Sequence, residues 1–243
     1  MNPSRRLFRP SGFGTGVALD ESEETPAQSG TSSLQAGSMT GILSRAWPRV
    51  SALRLRAQST WWMWRLRNLE AASLRGLSLG NDNWLGRPVT TGGGHGRLIV
   101  GSRNYLGATT APCVGDGALM FQPRAESSLV EIGDGNWISN NVVALANERI
   151  SIGNGCQIGD LVCIYDCDFH EVDPQTRIRS PGVTSPVRVG NNVWLGSRVM
   201  VLKGVTIGDN SVVAAMSVVV HSIPPDSIAA GVPARVLRQI NQP

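Results

Sequence analysis

From Val189 onward an aliphatic residue occupies every sixth position, Val189, Leu195, Val201, Ile207, Val213 and Val219, with Gly, Asn, Asp and Ser crowding the intervals. An α-helix repeats its apolar face at about 3.6 residues and a strand at 2, so a period of six belongs to neither. Short strands that turn a corner every sixth residue satisfy it, and three corners close a triangular coil of about 18 residues in a parallel β-helix. Each aliphatic knob then points inward. The same register appears in Ile132 and Ile138, in Ile152, Ile158 and Ile164, and more weakly in Val114 and Met120.

Four residues after each knob comes a second inward position that must be small or slender, filled by Cys156, Val162, Val193, Val199, Val205, Ser211 and Ser217. Gly133, Gly153, Gly159, Gly190, Gly196 and Gly208 each follow a knob directly. Tight corners predict positive φ there, where glycine is cheapest.

The chain has 243 residues, room for about six coils plus an N-terminal segment of ~95 residues. Aromatic residues make up only 5%, as expected of a narrow core that grows by length rather than by radius. The net charge of +4 hides an asymmetry: residues 1–97 hold 12 Arg against 6 acids, and residues 98–243 hold 10 basic and 12 acidic residues. A basic tail of this kind is most simply a solvated one, and no nucleic-acid role is expected. No signal-peptide h-region, cleavage site or long apolar run is present, which predicts a cytosolic protein. The four cysteines fit that compartment: Cys156 fills a repeat position, and Cys113, Cys163 and Cys167 lack zinc-finger spacing.

Residues 1–38, rich in Ser, Gly, Thr and Pro, read as a disordered leader. Residues 39–97 read as a basic segment and linker. Within it, Trp47, Trp61, Trp62, Trp64, Leu66 and Leu69 interleave with Arg45, Arg49, Arg54, Arg56, Arg65 and Arg67 in a helical stretch interrupted at Pro48. Two readings stand for it, a helix that caps the open first coil and a helix that lies on acidic headgroups at the inner face of a membrane. The cap is preferred, because Trp and Leu at helical spacing belong more often to a core. Gly80, Gly86 and the cluster Gly92, Gly93, Gly94 and Gly96 then read as a loop into a first coil that starts at residue 98.

The hexads vanish in loop 165–188, where polar residues take over. The gap accommodates one degenerate coil or a loop extruded from the stack, and departures from a repeat are where function is commonly placed. His170 lies here among Asp166, Asp168, Glu171 and Asp173. A narrow aliphatic interior cannot accept that imidazole with its acidic neighbours, so it belongs on the outside, free for acid–base work near neutral pH. A metal cluster of Cys163, Asp166, Cys167 and His170 matches no common zinc spacing, and no metal is expected.

The runs Pro186–Ser197 (PVRVGNNVWLGS), Gly204–Ser211 (GVTIGDNS), Ile223-Pro-Pro and Ala230–Arg238 (AGVPARVLR) resemble the hexapeptide-repeat O-acetyltransferases, most nearly the maltose and galactoside enzymes and the exopolysaccharide O-acetyltransferases. The resemblance covers residues 130–240 closely and 98–130 loosely. It implies an all-β solenoid, a left-handed parallel β-helix over 98–243, assembled as a homotrimer with acetyl-CoA as co-substrate in a groove between subunits. Carried over by motif, it makes His170 the general base on the acceptor hydroxyl and gives Asp168 the task of orienting its imidazole. Trp194 falls on the tryptophan beside the groove and Asn140 on an acceptor contact. Ser197 and Ala215 meet the pantetheine arm, and Arg235, Arg238 and His221, the last standing where a lysine is usual, lie near the cofactor phosphates.

The function implied is acetyl transfer to a saccharide hydroxyl by direct attack, in exopolysaccharide or cell-surface polysaccharide synthesis. Serine- and chloramphenicol-type acetyltransferases share the scaffold and remain alternatives. A γ-carbonic-anhydrase-like metal protein would need a close histidine pair, and His95, His170 and His221 are scattered singly.

Overall fold

The computed structural model describes residues 39–180 and 182–240; the leader 1–38 lies outside the described residues. From Gly76 the chain winds through six coils, over residues 76–90, 97–123, 129–146, 149–165, 187–201 and 206–219, each giving one short strand to each of three parallel sheets. The sheets are the three faces of a left-handed parallel β-helix. Register is uniform: on the first face Leu98, Val130, Ile150 and Val187 pair in succession, on the second Ile138, Ile158, Leu195 and Val213, on the third Ala144, Ile164, Val201 and Val219.

The inward knobs from Ile132 to Val219 and all seven slender positions are buried, in one continuous core. Each fully buried Val, Leu or Ile there contributes about 1.5–3 kcal/mol. In the first three coils the slender position that leads into the second face is instead an asparagine. Asn83 Oδ1 accepts the Asn104 N–H at 2.9 Å, Asn104 Oδ1 the Asn136 N–H at 2.8 Å, and Asn136 Oδ1 the Cys156 N–H at 2.7 Å. This inner ladder stops at Cys156, and Val193, Ser211 and Ser227 continue the row.

Four expectations change. The first coil begins at Gly76 rather than at residue 98, because the glycine-punctuated stretch supplies Gly76–Leu79, Trp84–Leu85 and Val89–Thr90 as strands. Val114 is 65% exposed and Met120 half-buried. The true row runs through Val100 and Leu106, followed by an excursion over 107–118 that returns at Leu119 and Phe121. Gly133, Gly153, Gly159, Gly190, Gly196 and Gly208 do not have positive φ; that conformation falls on corner residues such as Asn141, Leu161, Asn192, Arg198 and Met216, and among glycines after a knob on Gly107. What requires glycine is the close approach of coils, since a Cβ on Gly159 or Gly196 would sit 2.5 Å from the backbone nitrogen of Ser197 or Ala215.

Helix α1 (Met39–Asn68) stays helical across Pro48, where an interruption was expected; proline there removes one i→i−4 hydrogen bond without ending the helix. Its later turns cover the first coil. Leu66 is fully buried in the core with Trp62 and Met63 packed against it, and Ser59 Oγ accepts the Leu85 N–H at 2.9 Å. Just beyond, Glu70 accepts from Thr90 Oγ1 at 2.8 Å and from the Thr91 N–H at 3.2 Å, and pairs with Arg65. At the other end an antiparallel hairpin, Ser227–Gly231 with Ala234–Gln239, extends the second face and covers the last coil.

Candidate active site

The second face has one outward row that crosses every coil: Trp84, Tyr105, Trp137, Gln157, Trp194, Val212, Ile228 and Arg238 are successive cross-strand partners. Each of the first five immediately precedes an inward knob, and alternation along a strand turns it out. Beside Trp194 lies a groove of about 440 Å³ lined by Gly159, Gly196, Ser197, Val213, Ala214 and Ala215. Three of the residues predicted from sequence, Trp194, Ser197 and Ala215, therefore meet in one cleft. Ser197 Oγ donates to Asp160 Oδ1 at 2.5 Å, so its hydroxyl is tied to the wall and its backbone edge faces the groove. Neither Ser197 nor Ala215 gives its N–H to a backbone carbonyl among the described residues.

Arg238 shares the Trp194 row, three strands further on, and Arg235 lies on the same terminal strand. Both are exposed and neither has an acidic partner among the described residues. His221 is exposed just past the last strand of the third face. None of these three lines the groove.

The interruption of the stack is an extruded hairpin, not a degenerate coil. Its base is zipped by the bridge between Cys167 and Thr184, by Asp168 N–H to Val183 O at 3.1 Å and by Ser185 N–H to Asp166 O at 2.8 Å. Beneath it the buried Asp166 carboxylate accepts the N–H groups of Asn147, Glu148 and Arg149, each at 2.8 Å, which fixes the corner between the third and fourth coils. Burial pushes the Cys167 thiol above its ordinary value, and does the same to Cys156 in the core and to the Tyr165 hydroxyl.

His170 is exposed on this hairpin, with Nδ1 3.0 Å from the Arg177 carbonyl oxygen. A carbonyl only accepts, so Nδ1 carries a proton, and in the neutral ring Nε2 is the nitrogen that accepts. Its neighbour Phe169 holds φ of +65°, uncommon for an aromatic residue, under the Arg124 guanidinium at 5.3 Å and edge-on to Tyr165 at 5.4 Å. Asp168 does not orient the imidazole: it pairs with Lys203 Nζ at 2.5 Å, tying the hairpin to the fifth coil, and the Arg177 carbonyl takes the orienting place.

Asn140 is also displaced from its expected role. Its side chain is fully buried, with Oδ1 accepting the Ala108 N–H at 2.9 Å and Nδ2 donating to the carbonyls of Ala108, Ala111 and Pro112. Asn141 clamps Val114 in the same way. Both hold the 107–118 excursion, and the buried Asn140 amide has no donor left for a ligand.

The groove lies at the corner between the second and third faces, whereas His170 and His221 lie at the corner between the third and the first. Neither of the two clefts that Trp194 borders is lined by His170. Sequence reasoning missed Trp137, Gln157, Lys203 and the Arg177 carbonyl. The first two were within reach, since Trp84, Tyr105, Trp137 and Trp194 all stand immediately before a knob.

Residues 186–221 match the bacterial transferase hexapeptide (six repeats) family. The chain is 38% identical over 130 residues to the galactoside O-acetyltransferase of Escherichia coli K12, covering 53% of this chain and 64% of that protein. It is 42% identical over 107 residues to nodulation protein L of Rhizobium meliloti, covering 44% of this chain and 58% of that one. The chain thus spans somewhat less than two thirds of these relatives. Among solved structures it is similar to a galactoside acetyltransferase in complex with coenzyme A, at 25% identity and a TM-score of 0.50, over 77% of this chain and 82% of that chain.

Proposed function

We propose that the protein is an acetyl-CoA-dependent O-acetyltransferase that acetylates a saccharide hydroxyl, with His170 as general base. The observation that carries this reading is the His170 imidazole, held by the Arg177 carbonyl at Nδ1 with Nε2 free, on the one hairpin that interrupts the repeat. The coenzyme A complex of the similar structure and the galactoside activity named for the similar enzyme support the choice of substrates.

In the reaction, Nε2 takes the acceptor O–H proton as the oxygen attacks the thioester carbonyl carbon. The tetrahedral adduct then expels the thiolate, and the imidazolium returns the proton to that sulfur. Acetyl passes directly between substrates, so no covalent intermediate on the protein is needed. The Ser197 and Ala215 backbone receives the pantetheine arm, and Arg235, Arg238 and His221 receive the phosphates.

Because the groove and His170 occupy different edges of the prism, the reading requires a second copy to bring its hairpin to this groove, as a homotrimer does. A saccharide in exopolysaccharide or cell-surface polysaccharide synthesis is the acceptor class we infer. Exposed Trp61 and Trp64 with Arg54, Arg56 and Arg67 on the outer side of α1 supply a peripheral membrane contact at the inner, cytoplasmic face. No helix among the described residues is long and apolar enough to cross a membrane.

An acceptor screen with radiolabelled acetyl-CoA tests the activity. His170→Ala is expected to lower turnover at least ~100-fold with acetyl-CoA binding nearly intact; unchanged turnover removes the base assignment. Sedimentation of the full chain tests the trimer. Equal binding to anionic liposomes with and without residues 39–76 would end the membrane reading.

A further inference from the structure

The outward row of the second face is an aromatic column with a single gap. Trp84 and Tyr105 stack at 6.2 Å and 10°, and Tyr105 and Trp137 at 4.9 Å and 17°. The next coil puts Gln157 in the row, and the coil after that puts Trp194. Trp137 therefore has Tyr105 against one ring face and no aromatic partner toward the gap. Both tryptophans are largely exposed, 64% and 55%, and both border a cleft of about 500 Å³ with Ala108, Ser139, Gln157 and Gly159.

Size limits what fits between them. Neighbouring strands lie about 4.8 Å apart, so two coil steps separate the Trp137 and Trp194 backbones by roughly 9.6 Å. One ring sandwiched at van der Waals contact on both faces needs about 7–8 Å. The gap thus accepts one ring and excludes a second.

Chemistry limits it further. The cleft is lined by no ionisable side chain; its polar groups are the amide of exposed Gln157, in the row between the two indoles, and the Ser139 hydroxyl. A phosphate-bearing or carboxylate-bearing ring would be desolvated there without a counter-charge. A neutral pyranose fits, with its C–H face on an indole and its hydroxyl rim toward an amide and a hydroxyl. The cleft also shares Trp194 and Gly159 with the groove of Ser197 and Ala215, so a ring held in it lies one indole away from that groove.

We infer that the slot between Trp137 and Trp194 over Gln157 is the acceptor subsite, that it takes a single neutral pyranose ring, and that Trp137 and Gln157 determine its specificity. This assignment rests on the transferase reading above. The rim is held by Asn140, which anchors Ala108 through its backbone, so the residue expected to touch the acceptor acts one step behind it.

Saturation-transfer NMR on the full chain with methyl β-galactopyranoside and methyl α-glucopyranoside tests it, alongside calorimetric titration with coenzyme A and sedimentation of every variant. The expected result is transfer to the ring C–H protons of at least one of the two glycosides. Affinity should fall about tenfold or more in Trp137→Ala and recover in Trp137→Phe, with coenzyme A binding unchanged. Gln157→Ala should weaken the same glycoside, and it serves as the second variant should Trp137→Ala fold poorly. A chain that binds coenzyme A but transfers no saturation to either glycoside overturns the slot and leaves the transferase reading standing. Loss of oligomerisation in Trp137→Ala makes the slot a subunit contact and also overturns it. A wild-type chain that fails to bind coenzyme A overturns the transferase reading itself, and the acceptor role with it.

Discussion

The first three coils and the last three share one backbone path but fill it with different side chains. In the first three, the inward slender position is asparagine, whose amide reaches along the stack to a buried N–H of the next coil, and the matching outward position is aromatic. In the last three, the inward row is Cys156, Val193 and Ser211, and the outward row passes from Gln157 and Trp194 to Val212. Along these two rows the first half is stapled by an asparagine ladder and stacked rings, whereas the second is filled by small or aliphatic side chains and leaves its outer edge open as a groove; a separate corner ladder, Asp134 to Asn154 to Asn191 to Asp209, runs through both halves. A repeat coil thus fixes where side chains point while leaving each row free to serve stability or binding. The two regimes meet between the third and fourth coils, where the inner ladder ends, the outer column breaks and the Asp166 carboxylate holds the corner.

Breaking that junction should have the largest effect. Asp166→Ala removes the buried carboxylate that accepts from three N–H groups, a cost of about 3 kcal/mol. Urea denaturation followed by tryptophan fluorescence and by circular dichroism should then resolve two steps where the parent shows one, because coils couple mainly to their neighbours. Coincident transitions in the variant would mean that the halves are not separable.

Asn136→Ala tests the inner ladder. It removes the acceptor of the Cys156 N–H and should cost about 1–2 kcal/mol, read as a lower urea midpoint. Ser211→Ala, in the aliphatic half, removes a hydroxyl that donates to the Pro224 carbonyl at 2.8 Å and should cost about 1 kcal/mol. Equal costs at the two positions would erase the proposed contrast.

The smallest effects come from the thiols. Burial raises the Cys156 and Cys167 thiols in the folded chain, so the fold favours their neutral form. That contribution is complete below the unfolded thiol's range and is lost as pH rises through it toward the folded value. Stability should therefore fall slightly more between about pH 8 and pH 10 in the parent than in Cys156→Ala. At the lower pH a thiol reagent should label exposed Cys113 first.

Most of the stack was legible because a triangular coil imposes a rule that a single sequence displays. The knobs Val189 to Val219 and the slender positions Cys156 to Ser217 are buried where the six-residue period puts them. The period failed at Val114, where an excursion happened to restore an aliphatic residue at the right spacing. It missed the first coil because two-residue strands between glycines look like a linker. Trp194, Ser197 and Ala215 were found by motif and do share a groove. Asp168 and Asn140 were assigned by motif as well, yet their hydrogen-bond partners lie 28 to 35 residues away along the chain, at Lys203 and at Ala108 to Pro112.

By itself the sequence determined the class of fold, the coil period, the inward rows from Ile132 onward and the position of the 165–188 interruption, since all of these follow from which residues exclude water at a fixed spacing. Only the tertiary structure decided what the polar residues do. A carboxylate or amide can satisfy its hydrogen bonds within a wall, across a corner or toward a ligand, and spacing along the chain does not distinguish these. Stacking the coils brought Lys203 to Asp168, gave the amide of Asn140 to a loop, and opened between Trp137 and Trp194 a gap that no stretch of sequence contains.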